Sequence, residues 1–363
     1  MRIFQIINSL QMGGAEKLAL GLHQRYLERN HESILISLAG EERGWTNEGV
    51  FSLGYGSSYN PFILPALLDL KDELDLRGAE IIHTHLFPAQ LLTGLLRELI
   101  PLKAQLVTTE HSTANRRRGR FLGRLIDRWF YKRFSRIICV SNGAASGLAS
   151  WIPELSAKQE VIFNGIDLAE FSGKPLPRFT DRQIILSVGR LTEAKNYHTA
   201  IEAFSLLCAR SDFDLEYRIA GEGKLETMLK NHALELGVSD RVRFLGEVSD
   251  IPSLMKRADV FFMPSSREGF GIAALEAMAS GLPVVASSLP GISDVIGRDQ
   301  HCGILVDHSS PSEMAEALRC LLVNEMMSWR MVSSALKRAG KFSIEITTDN
   351  YLEIYESALN QAH

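Results

Sequence analysis

Two doubly wound parallel α/β domains are what this chain's sequence predicts, on three observations. Short apolar runs alternate with amphipathic segments along the whole length, the rhythm of a parallel sheet covered on both faces. The rhythm breaks near Ala169–Asp181, where Gly173, Pro175 and Pro177 interrupt the periodicity, and then resumes. Finally, 363 residues with 45% hydrophobic content supply two domains' worth of core. In the first half the expected strands are Ile3–Ile7, Ser33–Ser37, Glu80–His83, Gln105–Thr108, Arg136–Val140 and Glu160–Phe163. Between the first two, Gly14–Arg29 is an amphipathic helix with Leu18, Leu22 and Leu27 near one side. In the second half they are Gln183–Val188, Glu216–Ala220, Val242–Phe244, Asp259–Met263 and Val284–Ser287. The domains are drawn at 1–168 and 169–343, and Ile344–Leu359 reads as a closing helix.

Composition narrows the function. A net charge of −4 gives no reason to expect nucleic acid as a partner. Cys139, Cys208, Cys302 and Cys320 are far apart, without metal-type spacing or a short disulfide framework, so reduced thiols and a cytoplasmic location are expected. Residues Met1–Leu10 carry too short an apolar run for a signal peptide, and no stretch of apolar residues is long enough to span a bilayer.

The run from Met263 to Ala286 organises the rest. A strand ends at Met263, a loop follows with Glu268, Gly269, Phe270 and Gly271, a helix rich in Ala carries Glu276, and the next strand starts at Pro283. Such a loop lies outside the carboxyl ends of the strands, where open α/β sheets bind ligands. The glycines admit a ligand to the backbone, and the helix start offers N–H groups to an anion. Two carboxylates at one helix mouth would repel a bare phosphate, so Glu268 and Glu276 are expected to face sugar hydroxyls.

The pair Glu268 and Glu276 resembles the Glu-x7-Glu signature of retaining glycosyltransferases of family 4. The resemblance extends over most of the chain. It takes in Gly13-Gly14-Ala15-Glu16, Glu110-His111-Ser112, Val140-Ser141, Asn164-Gly165-Ile166-Asp167, Gly189-Arg190-Leu191 with Lys195-Asn196, and Ala220-Gly221-Glu222-Gly223. It implies the GT-B fold, two doubly wound Rossmann-like domains facing a central cleft. The N-terminal domain would bind the acceptor and the C-terminal domain the nucleotide sugar, with the helix 344–363 crossing back onto the first. It also implies catalytic roles for Arg190, Lys195, Glu268 and His111. Donor contacts would come from Gly13, Gly14, Gly221, Glu222, Gly246, Gly269, Phe270, Gly271 and Glu276.

Beside that resemblance, each residue has a plainer reading. Gly13 and Gly14 follow a strand and open a helix, which fits a tight turn as well as an anion contact. His83 and His85 point to one face of their strand, but with no third ligand set by the sequence they read as pocket or core histidines. His111 follows a strand, at the ligand-facing rim, and matches the family's cleft histidine. Arg190 and Lys195 offer a fork and a point charge that could neutralise a diphosphate without a cation; otherwise they form a basic loop paired with acids such as Glu193. The glycine turns at Gly221–Gly223 and Gly246 could border the nucleobase or be simple turns, and Asn164-Gly165 is a cleft or hinge motif. Asp212 and Asp214 precede a strand, so turn chemistry explains them better than a catalytic metal, and no metal is expected.

Asn115–Phe134 is the most unusual segment, with eight Lys or Arg against the single Asp127. Arg116, Arg120, Arg124, Arg128 and Lys132 recur every fourth position, and Leu122, Leu125, Ile126 and Trp129 gather on another side. A basic amphipathic helix fits an anionic membrane surface or a polyanionic acceptor, and Arg116, Arg117, Arg118, Arg120 and Arg124 are assigned to that face. The plainer reading is a covering helix with Leu122 and Ile126 packed on its own sheet and a solvated basic side.

The expected function is metal-independent, retaining transfer of a hexose from a nucleotide-diphosphate sugar, UDP-linked or else GDP-linked, with no further cofactor. The acceptor would be a glycan or lipid-linked glycan of lipopolysaccharide or capsule biosynthesis, met peripherally at the inner face of the membrane. A sugar-nucleotide epimerase of the same fold and a non-catalytic membrane-associated binding module are the rivals.

Overall fold

The computed structural model describes residues 1–11, 13–113, 117–172 and 182–361, and the chain divides into two compact units, Met1–Gly165 with Ile344–His363, and Ile166–Ser343. The division falls after Gly165, three residues before the position read from the sequence. The Gly- and Pro-containing stretch 173–181 lies outside the described residues.

In the first unit, β1 (Arg2–Ile7), β2 (Glu32–Ala39), β3 (Arg43–Asn47), β4 (Val50–Tyr55), β5 (Ile81–His85), β6 (Gln105–Glu110), β7 (Arg136–Cys139) and β8 (Gln159–Val161) form one sheet, in the order β3-β4-β2-β1-β5-β6-β7-β8. Every pairing is parallel except the hairpin β3–β4, an addition to the strands expected from sequence. The covering helices are α1 (Gly14–Glu28), α2 (Ile63–Glu73), α3 (Ala89–Leu99), α4 (Phe121–Tyr131) and α5 (Asn142–Trp151). Helix α1 turns Leu18, Ala19, Leu22, His23 and Tyr26 inward.

The closing helix, Ile344–Asn360, packs on this same unit. Its Ile344, Tyr351 and Tyr355 join Ile3, Leu22, Tyr26, Ile81 and Val107 in one core. Burying a side chain of that size contributes about 1.5–3 kcal/mol. Arg29 pairs with Asp349 at 2.8 Å and Arg25 with Glu345 at 3.1 Å along the helix margin.

The second unit holds β9 (Arg182–Val188), β10 (Asp214–Ala220), β11 (Val242–Phe244), β12 (Val260–Met263), β13 (Val284–Ser287) and β14 (Ile304–Val306), all parallel, in the order β11-β10-β9-β12-β13-β14. Three-residue β14 is, after β3 and β4, the third strand missed from sequence. The helices are α6 (Leu168–Phe171), α7 (Tyr197–Ala209), α8 (Glu226–Glu235), α9 (Ile251–Lys256), α10 (Ile272–Ala279), α11 (Pro290–Ile296), α12 (Pro311–Val323) and α13 (Glu325–Ala339), and the closing helix of the first unit is α14. The core runs through Ile185, Phe204, Tyr217, Phe262, Val285, Leu318 and Leu321. Among the described residues, no helix is long and apolar enough to cross a membrane.

Candidate active site

In the second unit the chain leaves β9 toward β10 on one side and leaves β12 toward β13 on the other. The loops after β9 and β12 therefore flank the crevice at which open α/β sheets take ligands. These loops carry Lys195 and Glu268, 73 residues apart in sequence, and their side chains meet at 2.6 Å. Both are partly exposed, at 23% and 19%. The two loops are also held together by backbone contacts. Asn196, left-handed at φ 56°, donates from Nδ2 to the carbonyls of Pro264 (3.1 Å) and His308 (2.8 Å), and Ser266 N donates to Ala194 O at 2.9 Å.

The neighbouring loops are laced to this one. Gly189 N donates to Ala220 O, Leu191 N to Glu222 O, and Gly221 N to Gly246 O, at 2.9, 2.8 and 2.7 Å. A Cβ on Gly221, at φ +137°, would sit 2.3 Å from Gly189 O, so a side chain there would push the first two loops apart. Arg190 and Glu222 lie exposed beside this lattice, and no ion pair among the described residues engages Arg190. Gly269 and Phe270 lead into Gly271, whose φ of +102° turns the chain into α10. Glu276, the fifth residue of α10, is only 2% exposed. The structure thus places Arg190, Lys195, Gly221, Glu222, Gly246, Glu268, Gly269, Phe270 and Gly271 on one rim, with Glu276 buried behind it.

In the first unit the switch lies between β1 and β5. Here Gln5, His83, His85 and His111 form a connected network from three adjacent strands. Gln5 Nε2 donates to Ala19 O (3.3 Å), which leaves Gln5 Oε1 to accept from His85 Nε2 at 3.2 Å. His85 Nδ1 must then be the lone-pair nitrogen, and it accepts from His111 Nε2 at 3.1 Å. His111 is thereby fixed as a neutral ring whose Nδ1 is a hydrogen-bond acceptor. His83 bonds Thr109 Oγ1 (2.8 Å) and Tyr355 OH (2.7 Å). Burial pushes His83 and His111 down to about 3 and His85 well below its ordinary value, with neighbouring rings adding to the effect at His83 and His85. With their nitrogens engaged, His83 and His85 are packed ring partners, centroids 4.1 Å apart.

Glu110, just before His111, fixes the loop that follows. Its Oε1 accepts from Ser112 N at 3.1 Å, and its Oε2 accepts from Tyr131 OH of α4, with Arg118 at 3.6 Å. Gln5 and Tyr131 are site-supporting residues that the sequence did not assign, whereas His85 reads there as a pocket or core histidine and Glu110 as part of the Glu110-His111-Ser112 match. At Gly13, the extended residue before α1, a Cβ would lie 2.3 Å from Glu16 Oε2, so the Glu16 carboxylate folds back over this helix start. An anion at Gly13 and Gly14 would need Glu16 to swing away.

The basic segment departs from expectation in two respects. First, Arg117 and Arg118 are not on a membrane or acceptor face. Arg117 Nε reaches Asp127 at 2.6 Å and stacks its guanidinium 3.7 Å from the centre of Phe87, and Arg118 donates to Thr113 O at 2.5 Å beside Glu110. Asp127 is fully buried and also accepts from Trp151 Nε1 at 3.0 Å, so a buried carboxylate draws Arg117 inward. Second, Leu122 and Ile126 do not pack on the sheet. The inward face of α4 is Gly123, Asp127, Phe130 and Tyr131, leaving Phe121 78% and Leu122 71% exposed beside exposed Arg120 and Arg124. Arg116 lies outside the described residues.

Asp214 opens β10, at the end of the sheet opposite the rim, and lies 3.6 Å from Arg182; neither it nor Asp212 joins Lys195 and Glu268.

Comparison with known proteins fits this geometry. A family described as glycosyltransferase family 4 matches residues 12–170, and one described as glycosyl transferases group 1 matches residues 170–338, so the two together span most of the chain. The lipopolysaccharide core biosynthesis glycosyltransferase LpsE of Rhizobium meliloti is 28% identical over 95% of this chain and 96% of its own length. Among solved structures, Anabaena HepE in complex with UDP-glucose aligns with TM-score 0.81 over 98% of this chain and all of its own, at 19% identity. Sucrose-phosphate synthase of Thermosynechococcus elongatus aligns with TM-score 0.83 over 99% of this chain and all of its own, at 18% identity. These findings favour neither the epimerase nor the binding module. With two Rossmann-like units of the GT-B fold and both family matches in sequence, the chain belongs to the glycosyltransferases of the group 1 and family 4 type.

Proposed function

We propose that this glycosyltransferase moves a hexose from a nucleotide-diphosphate sugar to a lipid-linked or glycan acceptor, with retention and without a metal ion. The observation that carries this reading is the Lys195–Glu268 contact across the switch point of the second unit. It holds one cation and one carboxylate where a ligand with both phosphates and hydroxyls would enter. Lys195 and Arg190 act on the charge of the departing diphosphate, assisted by backbone N–H groups around Phe270 and Gly271 at the start of α10. Glu268 orients the donor sugar and Glu276 the ribose. Neutral His111 accepts a hydrogen bond from the sugar or from the attacking hydroxyl. Gly14, Gly221, Glu222 and Gly246 complete the donor contacts. No other cofactor is required, since two fixed cations replace the ion that a diphosphate otherwise needs.

A UDP sugar is the preferred donor, supported by HepE's complex with UDP-glucose. The setting is lipopolysaccharide or related surface-glycan synthesis, supported by LpsE. The acceptor is met at an anionic membrane surface, where α4 presents Phe121, Leu122, Leu125 and Ile126 between Arg120 and Arg124. Apolar side chains entering the headgroup boundary and cations at the same level are the two parts of peripheral binding.

The deciding experiment incubates the purified chain with radiolabelled sugar nucleotides and membrane lipid extracts in the presence of EDTA. The expected result is label transferred to lipid, reduced about 10²–10³-fold in Arg190→Ala and in Lys195→Ala. Label released only as an altered free sugar nucleotide, or transfer that returns only with Mg²⁺ or Mn²⁺, would overturn the reading.

A further inference from the structure

Helices α7 and α8 follow the loops of Lys195 and of Gly221–Gly223, and between them lies a pocket of about 420 Å³ lined by His198, Thr227, Met228, Asn231, His232 and Glu235. Glu202 of α7 stands one turn from His198, on the same helix face, and His232 approaches from α8. We propose that His198, Glu202 and His232 are the ligands of a divalent-metal site, with zinc the ion that fits, which ties α7 to α8.

The donor set is two imidazoles and a carboxylate, which zinc accepts with a fourth position left to water. Metal–ligand bonds of about 2.1 Å in a tetrahedron place neighbouring ligand atoms about 3.4 Å apart. Here Glu202 Oε1 lies 3.5 Å from His198 Nδ1 and 3.7 Å from His232 Nε2, and one ligand atom from each of the three residues lies within 4.8 Å of the others. The three ligand atoms are therefore close to the required spacing before any ion enters.

Two further observations point to a ligand. His232 Nε2 is buried and makes no hydrogen bond, a cost that a metal bond would remove. On the other side of that ring, Nδ1 lies 3.8 Å from Glu235 Oε2, the carboxylate–histidine–metal arrangement that orients a ligand from behind. One adjustment is needed. The rings of His198 and His232 stack at 3.6 Å and 15°, so their lone pairs run nearly parallel instead of converging. The His198 side chain is half exposed and is the one free to turn off the stack.

The site is independent of the sugar-transfer reading, since none of its ligands belongs to the donor machinery. Its effect would be mechanical. The ion would fix the helix that follows Lys195 against the helix that follows Gly223.

The test titrates tag-free, chelator-stripped full-length protein with Co²⁺. Expected are one equivalent bound with the visible spectrum of a four-coordinate site, its displacement by Zn²⁺, and a thermal midpoint raised by Zn²⁺. Glu202→Gln and His232→Gln should abolish the cobalt spectrum, while Glu235→Gln weakens binding about tenfold. Glu202 is partly exposed and its Gln variant should keep the parental circular dichroism, so loss of the spectrum there is loss of a ligand. Absence of stoichiometric cobalt binding by the parental protein overturns the proposal. So does a cobalt spectrum that persists unchanged in Glu202→Gln or His232→Gln, which would place the ion on other histidines.

Discussion

Acid should destabilise the first unit in a measurable way, because the fold holds three histidines neutral. His83 and His111 are pushed down to about 3 from the ordinary 6.5, and His85 falls well below it, chiefly through burial. The unfolded chain takes up protons at these positions as pH falls below about 6.5, and the folded chain does not. Stability from this source is fully present above the unfolded value and declines from there down toward pH 3. Between pH 7 and pH 5.5 a histidine so held costs about 1 kcal/mol. Buried His23 is shifted in the same direction, so a single pH comparison overcounts the cluster. The useful quantity is a difference of differences. In urea unfolding followed by circular dichroism at the two pH values, His83→Gln should lose about 1 kcal/mol less than the parental protein. The packing change made by the substitution is common to both pH values and cancels. Equal losses in the two proteins, or an imidazole resonance of His83 titrating near 6.5 by NMR, would refute the argument.

Four other outcomes follow from the geometry. Glu268→Gln frees Lys195, so calorimetry should find UDP bound at least as tightly while sugar transfer falls about 10²-fold; a collapse of UDP binding would contradict the assigned roles. Arg120→Gln with Arg124→Gln should weaken binding to anionic vesicles up to about 30-fold, at roughly 1 kcal/mol per charge, without changing the melting temperature. Arg117→Gln should instead cost about 3–5 kcal/mol of stability by leaving Asp127 buried without its cation, measured by thermal unfolding. Gly221→Ala should destabilise the second unit by more than about 2 kcal/mol, since its methyl group would meet Gly189 O, and urea unfolding measures this directly.

The parallel strands were readable because buried β-runs such as Val260–Met263 and Val284–Ala286 are apolar without interruption. The hairpin was not. β3 reads Arg43-Gly44-Trp45-Thr46-Asn47, with one large apolar residue and no alternation, and its pairing is with β4 alone. β14 is too short to show a period. Helix α4 was found but turned the wrong way. Its apolar stripe predicted an inward Leu122 and Ile126, whereas the inward position is taken by Asp127, made tolerable by Arg117 and Trp151. A periodicity cannot show a partner supplied from elsewhere. The rim residues were legible one at a time, each following a strand. That Lys195 would touch Glu268, and that Asn196 would bolt the two loops together, depends on strand order, which the sequence pattern does not specify.

The contact between Lys195 and Glu268 makes the resting crevice a self-balanced pair of charges. Free phosphate could draw Lys195 away, but Glu268 would then be a partly buried carboxylate that keeps the Gly269 N–H at 3.3 Å and loses its counter-charge. A free sugar could engage Glu268, but the Lys195 ammonium would be stranded in turn. Only a molecule that brings an anion and hydroxyl donors together relieves both sides at once. On the proposed donor chemistry the pair would act as a coincidence gate, favouring a nucleotide sugar over either of its halves taken separately.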